Sequence, residues 1–413
     1  MLPFATREWG GASFSDALFT ATSASCVTGL VVKDTATYWS LFGQIVILIL
    51  IQIGGLGVMT MASAIIIMAG RRMGLGYRSI LQNAVSANQV GGIVRMTKFI
   101  IKLTAAIEIT GAVILSFTFI PEFGVAKGIW YSIFHSISAF CNAGFDLMGV
   151  KGAFSSLTSY AASPAVLIPI MLLIICGGIG FFTWEDIKLH GIHLKKYRMQ
   201  SKVILVTYAV LIIIPAIFFF FTEYSDLPAG ERVMNSFFQS ITPRTAGFNS
   251  ADLTALKPTG VVSTIVLMLI GGAPGSTAGG MKVTTIAVLL SLAAAVVTRN
   301  EHAHFFKRRV SLEIARNAAT IFVIYLTLFL FSSIIIGVTD GLPMREVMFE
   351  TGSAIGTVGL TMGITPVLSL GAHVILILLM LFGRVGGLTF MFAAFPQSLK
   401  RNFEYPEENI NVG

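Results

Sequence analysis

The sequence predicts an all-α membrane protein assembled from four related helical units, and three observations carry that reading. Of its 413 residues, 55% are apolar and only 12% are charged, whereas soluble domains average about a quarter charged. The apolar residues gather in the runs Phe42–Ala69, Val166–Trp184, Val203–Phe221, Ile321–Val338 and Val374–Phe395, on the scale of the ~20 residues that a helix needs to cross a bilayer. A short pattern also recurs four times, a phenylalanine followed ten residues later by a glycine: Phe19 and Gly29, Phe134 and Gly144, Phe237 and Gly247, Phe349 and Gly359. One such segment would be a weak signal; four in register, the glycines separated by 115, 103 and 112 residues, mark an internal repeat.

The units follow in order. Met1-Leu2-Pro3-Phe4 is too short to span or to form the apolar core of a leader. Leu2-Pro3 looks like the exit of a leading helix, as Ile120-Pro121 does further on, so the first unit (1–70) is expected to lack its leading helix, with Met1 an internal methionine. Its later span is Leu41–Ala69. The second unit (71–186) opens with a cytoplasmic loop and has spans Met96–Ile120 and Ala165–Trp184. The third (187–300) has Val203–Phe221 and an interrupted span, Val261–Thr298. The fourth (301–413) has Ala318–Val338, Leu370–Phe395 and a C-terminal tail. Between the spans of each unit lies a stretch too short and too polar to cross. It must re-enter from one side, and irregular backbone at that depth is tolerated only where it lines a watery cavity or is buried in protein.

The net charge of +8 raises nucleic acid as a partner, but its distribution argues for a membrane. Of the 28 basic residues, 18 lie in Arg71 to Lys102, Lys188 to Lys202, Arg299 to Arg316 and Lys400–Arg401, each beside the end of a span. Bases flanking spans mark the cytoplasmic side. The other loops are relatively acidic, with Asp34, Asp146 and Glu350 among their charges. They read either as a vestibule that concentrates cations or as ordinary solvated loop charge. Cys26, Cys141 and Cys176 are too scattered for a disulfide framework or a metal set, and the six histidines form no paired-ligand motif. Ser276 and Thr277 are the hydroxyl cluster at membrane depth, with no histidine or aspartate beside them, so an intramembrane enzyme is excluded.

The repeated glycines point to a chemistry. A dehydrated cation needs oxygens in place of its water, and a ring of backbone carbonyls supplies them without adding full charges. Aiming successive carbonyls at one axis demands conformations that glycine adopts freely. The candidate filter is Val27-Thr28-Gly29, Asn142-Ala143-Gly144, Thr245-Ala246-Gly247 and Thr357-Val358-Gly359, a cation site at main-chain oxygens. The short helices would aim their negative C-terminal ends at it. The competing reading, tight turns between helices, fits one copy better than four.

The span after the third filter segment is broken by Gly271, Gly272, Ala273, Pro274, Gly275, Ser276, Thr277, Ala278, Gly279 and Gly280, ahead of Met281 and Lys282. Proline removes a donor, and each glycine costs a helix about 1 kcal/mol relative to alanine. A phosphate-binding loop is excluded because Met281 separates the last glycine from Lys282; a kinked packing helix remains an alternative. The other post-filter spans carry milder clusters, Gly54-Gly55-Leu56-Gly57, Gly177-Gly178-Ile179-Gly180 and Gly383-Arg384-Val385-Gly386-Gly387, which read as close helix contacts. Only one span reads as grossly broken. Arg384 is costly at membrane depth and reads as a charge acting on the conduction path, as a structural ion pair, for instance with a carbonyl end of the glycine-rich loop, or as both. Glu108, on a leading helix, suggests no role beyond pairing.

Over its whole length the chain resembles the Trk/Ktr/HKT superfamily of potassium transporters, and in size and motif detail the KtrB type of membrane subunit. The resemblance implies four membrane–pore–membrane repeats around a pseudo-fourfold pore, and a bacterial, multi-pass cell-membrane location. It implies potassium as substrate, since serine in place of the first filter glycine favours sodium in plant relatives and here that position is Gly29. It makes the Gly271–Lys282 stretch a gate below the filter and Arg384 a barrier that keeps potassium from being trapped. The single glycine per segment departs from the longer signature of ordinary potassium channels and implies a less strict filter. As partners it implies a second copy (a homodimer) and a cytoplasmic nucleotide-binding ring of KtrA-like regulatory subunits, with the nucleotide on that partner and no cofactor in this chain. Sodium as a coupling or activating ion, and a secondary transporter of another monovalent cation, stay open.

Overall fold

The computed structural model describes residues 2–8, 10–57 and 93–386. Gly387, the segment Arg71 to Gly92 and the tail with Lys400–Arg401 lie outside the described residues.

Three long helices dominate: α3 (Ile93–Phe123), α7 (Met199–Thr222) and α11 (Leu312–Asp340). Each is long and apolar enough to cross a bilayer, yet only 28% of its most apolar stretch is buried within the protein. Phe117 is 77% and Val338 78% exposed. Such faces would be untenable in water and are matched by lipid. These helices occupy the expected leading positions, each running a few residues beyond its apolar run.

Short helices precede the repeated glycines: α1 (Phe14–Ser25), α4 (Val125–Phe140), α8 (Ala229–Ile241) and α12 (Met344–Gly356). After the glycines come α2 (Leu41–Leu56), α5 (Pro164–Gly178) with α6 (Phe181–His190), α9 (Pro258–Leu269) with α10 (Val283–Val297), and α13 (Leu370–Val385). Local chemistry places several starts. Ser13, Ser40 and Ser369 accept N–H hydrogen bonds from Asp16, Gly43 and Ala372 at 3.1, 3.3 and 3.2 Å, satisfying donors that have no intrahelical partner. Pro164 and Pro258 sit in first turns, where their missing N–H costs nothing.

The packing closes on itself. Each short helix packs against the post-glycine helix of its own segment and against that of the preceding one: α2 meets α4, α5 meets α8, α9 meets α12, and α13 meets α1. The basic segment 299–316 contains a small hairpin, β1 (His304–Phe305) paired antiparallel with β2 (Arg308–Arg309).

Two expectations need correction. The second post-glycine span is not continuous: α5 and α6 meet at 95°, so the third span is not the only broken one. Gly57 and Gly386 follow the ends of α2 and α13, and Gly180 lies at the bend ahead of α6, all with the same backbone, φ 83, 89 and 88°, a conformation open to glycine and closed to most residues. The third phenylalanine of the repeat is also misplaced. Phe19, Phe134 and Phe349 are buried, but Phe237 is 40% exposed and Phe238 is fully buried. In the third segment the buried phenylalanine stands nine residues before the glycine instead of ten, a step of about 100° around the helix.

Candidate functional site

The four glycine segments meet, and their main chains touch in cyclic order. A Cβ on Gly29 would lie 2.5 Å from the Ala143 carbonyl oxygen, one on Gly144 2.9 Å from that of Ala246, and one on Gly247 2.5 Å from that of Val358. A Cβ on Gly359 would strike the Thr28 carbonyl oxygen, closing the ring. No side chain fits at any of the four. The glycines have φ of 93, 70, 77 and 95°. Two residues earlier in each segment, Val27, Asn142, Thr245 and Thr357 have φ of 56, 58, 64 and 51°. Positive φ at a β-branched residue is a true outlier, and each such residue costs on the order of 1–3 kcal/mol. Three of the four are β-branched and all four match, so one backbone shape recurs four times.

Hydroxyls that the sequence analysis missed impose it. Ser23 Oγ accepts from Gly29 N at 3.1 Å and Ser353 Oγ from Gly359 N at 2.9 Å. Ser138 Oγ donates to Phe145 O at 2.6 Å, and Thr242 Oγ1 donates to Phe248 O. A serine six residues before the glycine in three segments, with Thr242 five before in the third, was the available signal.

All four glycines line one depression together with Asp34, Asp146 and Thr361. Asp34 is nearly buried and accepts N–H bonds from Ala36, Thr37 and Phe154 at 3.0, 2.8 and 3.0 Å. Asp146 accepts from Met148 N at 2.8 Å, and burial, reinforced by the Asp34 charge, pushes its carboxyl up to about 7. Glu350 is not a loop charge. It lies inside α12, 1% exposed, and takes the Thr361 hydroxyl at 2.8 Å and that of Thr365.

The 271–282 segment packs against the second and fourth glycine segments. Gly271 N donates to Met281 O at 2.7 Å, so the entry and exit of the loop pair. Thr277, fully buried at its apex, donates through Oγ1 to Phe140 O at 3.0 Å and Asn142 Oδ1 at 3.2 Å. A Cβ on Gly279 would strike the Thr357 side chain, and one on Gly280 would lie 2.8 Å from Gly356 O. Lys282 Nζ caps Ala278 O at 2.8 Å. Gly275 O takes the Phe181 N–H at 2.8 Å, at the bend between α5 and α6.

Arg384 donates to the carbonyls of Thr277, Gly54 and Gly55, the last at 3.1 Å. Among the described residues it makes no salt bridge; the acceptors of its guanidinium are main-chain carbonyls. The milder glycine clusters are explained as well. Gly54, Gly177 and Gly383 abut the carbonyls of Ser25, Phe140 and Ile355, each four residues before a ring glycine. Glu108 takes a bond from Gln52 Nε2 at 3.3 Å, tying α3 to α2. The three cysteines are free.

Lipid-facing helices around a closed ring of main-chain carbonyls define an integral membrane protein. Residues 6–402 match the family model of TrkH, described as a cation transport protein, and the chain belongs to that family, which groups cation transporters rather than enzymes. It is 41% identical to the potassium/sodium uptake protein NtpJ of Enterococcus hirae and 38% identical to the Ktr system potassium uptake protein B of Bacillus subtilis, each alignment covering 100% of this chain and 92% of the relative. The crystal structure of the potassium transporter TrkH from Vibrio parahaemolyticus shares the fold, with a TM-score of 0.74 at 19% identity over 94% of this chain and 79% of that one.

Proposed function

We propose that this chain is the ion-translocating subunit of a potassium-uptake system in the bacterial cell membrane. Its four repeats (1–70, 71–186, 187–300, 301–413) surround a pseudo-fourfold pore. Val27–Gly29, Asn142–Gly144, Thr245–Gly247 and Thr357–Gly359 form the selectivity filter, and Gly271–Lys282 is the gate. The observation that carries this reading is the cyclic main-chain contact of Gly29, Gly144, Gly247 and Gly359. A ring of carbonyls closed by backbone alone suits a dehydrated monovalent cation, and the C-terminal ends of four short helices add negative potential beneath it.

The loop lies across the path below the filter. It is fastened to the second filter segment through Asn142 and to the α2 side by the three-carbonyl grip of Arg384. Arg384 thus serves both as latch and as a fixed positive charge against ion trapping. The chain works as a homodimer on a cytoplasmic ring of nucleotide-binding subunits, and the Ktr system names of its relatives support a multi-part assembly. Sodium, which the name of one relative includes, is the second ion, carried or activating.

The test is rubidium uptake into liposomes holding the purified chain, with competition by potassium and sodium. Deleting Ala273–Gly279 should raise flux and weaken dependence on the partner ring. Flux that stays low and partner-dependent would make the loop a packing element.

A further inference from the structure

The loop has two ends, and its entry is held by a side chain from the filter. Arg244 lies immediately before Thr245-Ala246-Gly247 and is 1% exposed, the bulkiest of the fully buried side chains described. Its Nη1 donates to Ile270 O at 3.0 Å, and its Nη2 reaches Leu211 O at 3.4 Å. Both carbonyls lack a helical partner for reasons written in the sequence. Ile270 leaves α9 in extended backbone, φ −101° and ψ 94°. Leu211 stands four residues before Pro215 inside α7, and proline returns no N–H; Ser240 Oγ also approaches that oxygen, at 3.3 Å.

The main chain of Arg244 continues the connection. Its carbonyl accepts Asn142 Nδ2 at 2.9 Å, and Asn142 Oδ1 accepts the Thr277 hydroxyl at 3.2 Å. Loop entry, third filter segment, second filter segment and loop apex therefore form one polar circuit. Neither attachment of the loop can shift without acting on a filter residue.

Mere space filling would not choose arginine. A buried guanidinium is expensive, and an apolar chain of similar volume often packs as well or better. Here Arg244 makes no salt bridge among the described residues, and its Nε is buried without an acceptor. What it supplies is two donors, aimed at a proline notch and at the loop entry.

We propose that Arg244 is a positioning residue that fastens the entry of the intramembrane loop to the third filter segment, so that loop position and filter geometry are set together. This rests on reading the loop as the gate. Loosening the entry then changes two properties at once, flux without the partner and preference between ions.

The experiment compares four proteins in liposomes without partner: wild type, Arg244→Met, the Ala273–Gly279 deletion, and both changes combined. Rubidium flux and the rubidium-to-sodium ratio are read. Arg244→Met is expected to raise flux about tenfold, the scale of losing a charged donor to a buried carbonyl, and to lower the ratio. In the loop-deleted background it should add no further flux, because the two changes act through one element. Arg244→Lys, which keeps a donor, should fall between and decides the matter if Arg244→Met does not fold. A flux increase of equal size in both backgrounds, or no change in flux and ratio, makes Arg244 a packing residue and overturns the proposal. A loop deletion that leaves flux low sinks the gate reading and this proposal with it; one that raises flux beside a silent Arg244→Met sinks this proposal alone.

Discussion

Replacing Gly29 with serine tests the filter where the first segment meets the second. The added Cβ would stand 2.5 Å from the Ala143 carbonyl oxygen and 3.0 Å from Gly144 Cα, both backbone atoms of the next segment. Reaching ordinary contact near 3.4 Å requires the two segments to part by roughly 0.9 Å. A left-handed backbone costs a non-glycine residue about 1–2 kcal/mol, and overpacking of this kind typically costs about 1–3 kcal/mol more. Together they come to about 2–5 kcal/mol, comparable to much of a domain's net stability, so the strain is expected to be relieved by moving the Ala143 carbonyl. That oxygen belongs to the ring, and preference between ions depends on the size and field of the ring. Gly29→Ser should still insert and purify, but rubidium uptake should become far more sensitive to sodium. The assay is rubidium flux into liposomes under increasing sodium, with potassium competition as control. An unchanged potassium-to-sodium preference at unchanged flux would refute the assignment of Gly29 to the filter.

Other outcomes follow from the same geometry. Burial pushes the Asp146 carboxyl, in the depression lined by the four glycines, up to about 7, so it is expected to be neutral below that pH and charged above. Uptake at sub-saturating cation should rise as external pH climbs through about 7, and Asp146→Asn should flatten the rise. Ser353→Ala orphans the buried Gly359 N–H, a loss worth about 1–3 kcal/mol, and should lower potassium preference severalfold with little change in expression. A cysteine placed at the exposed Arg308, in the β1–β2 hairpin, should resist impermeant thiol reagents added outside intact cells; labelling from outside would reverse the assigned orientation.

The membrane class, the fourfold recurrence and the site of the grossest helix break are legible in the sequence because each is a local property. Composition sets the solvent, spacing reveals the repeat, and a run of glycines around a proline cannot continue a helix in lipid. The four glycines were identifiable for the same reason, since nothing else takes that backbone at such close approach. The second break, at Gly180, was legible only as a glycine cluster, because its 95° bend depends on Gly275 accepting the Phe181 N–H from across the protein.

What only the tertiary structure decided concerns partners far apart in the chain. The cyclic order of the ring, Gly29 against Ala143 and Gly359 against Thr28, depends on how the helices pack. The one-residue shift that buries Phe238 instead of Phe237 is one that the phenylalanine-to-glycine count conceals. Arg384 chose three carbonyls over an acid, and Arg244 found a proline notch and a helix end. Spacing along a helix tells which residues share a face. Which carbonyl lies within reach of a buried guanidinium is settled only when the helices are brought together, because the acceptors are backbone atoms that every residue carries and no residue name announces.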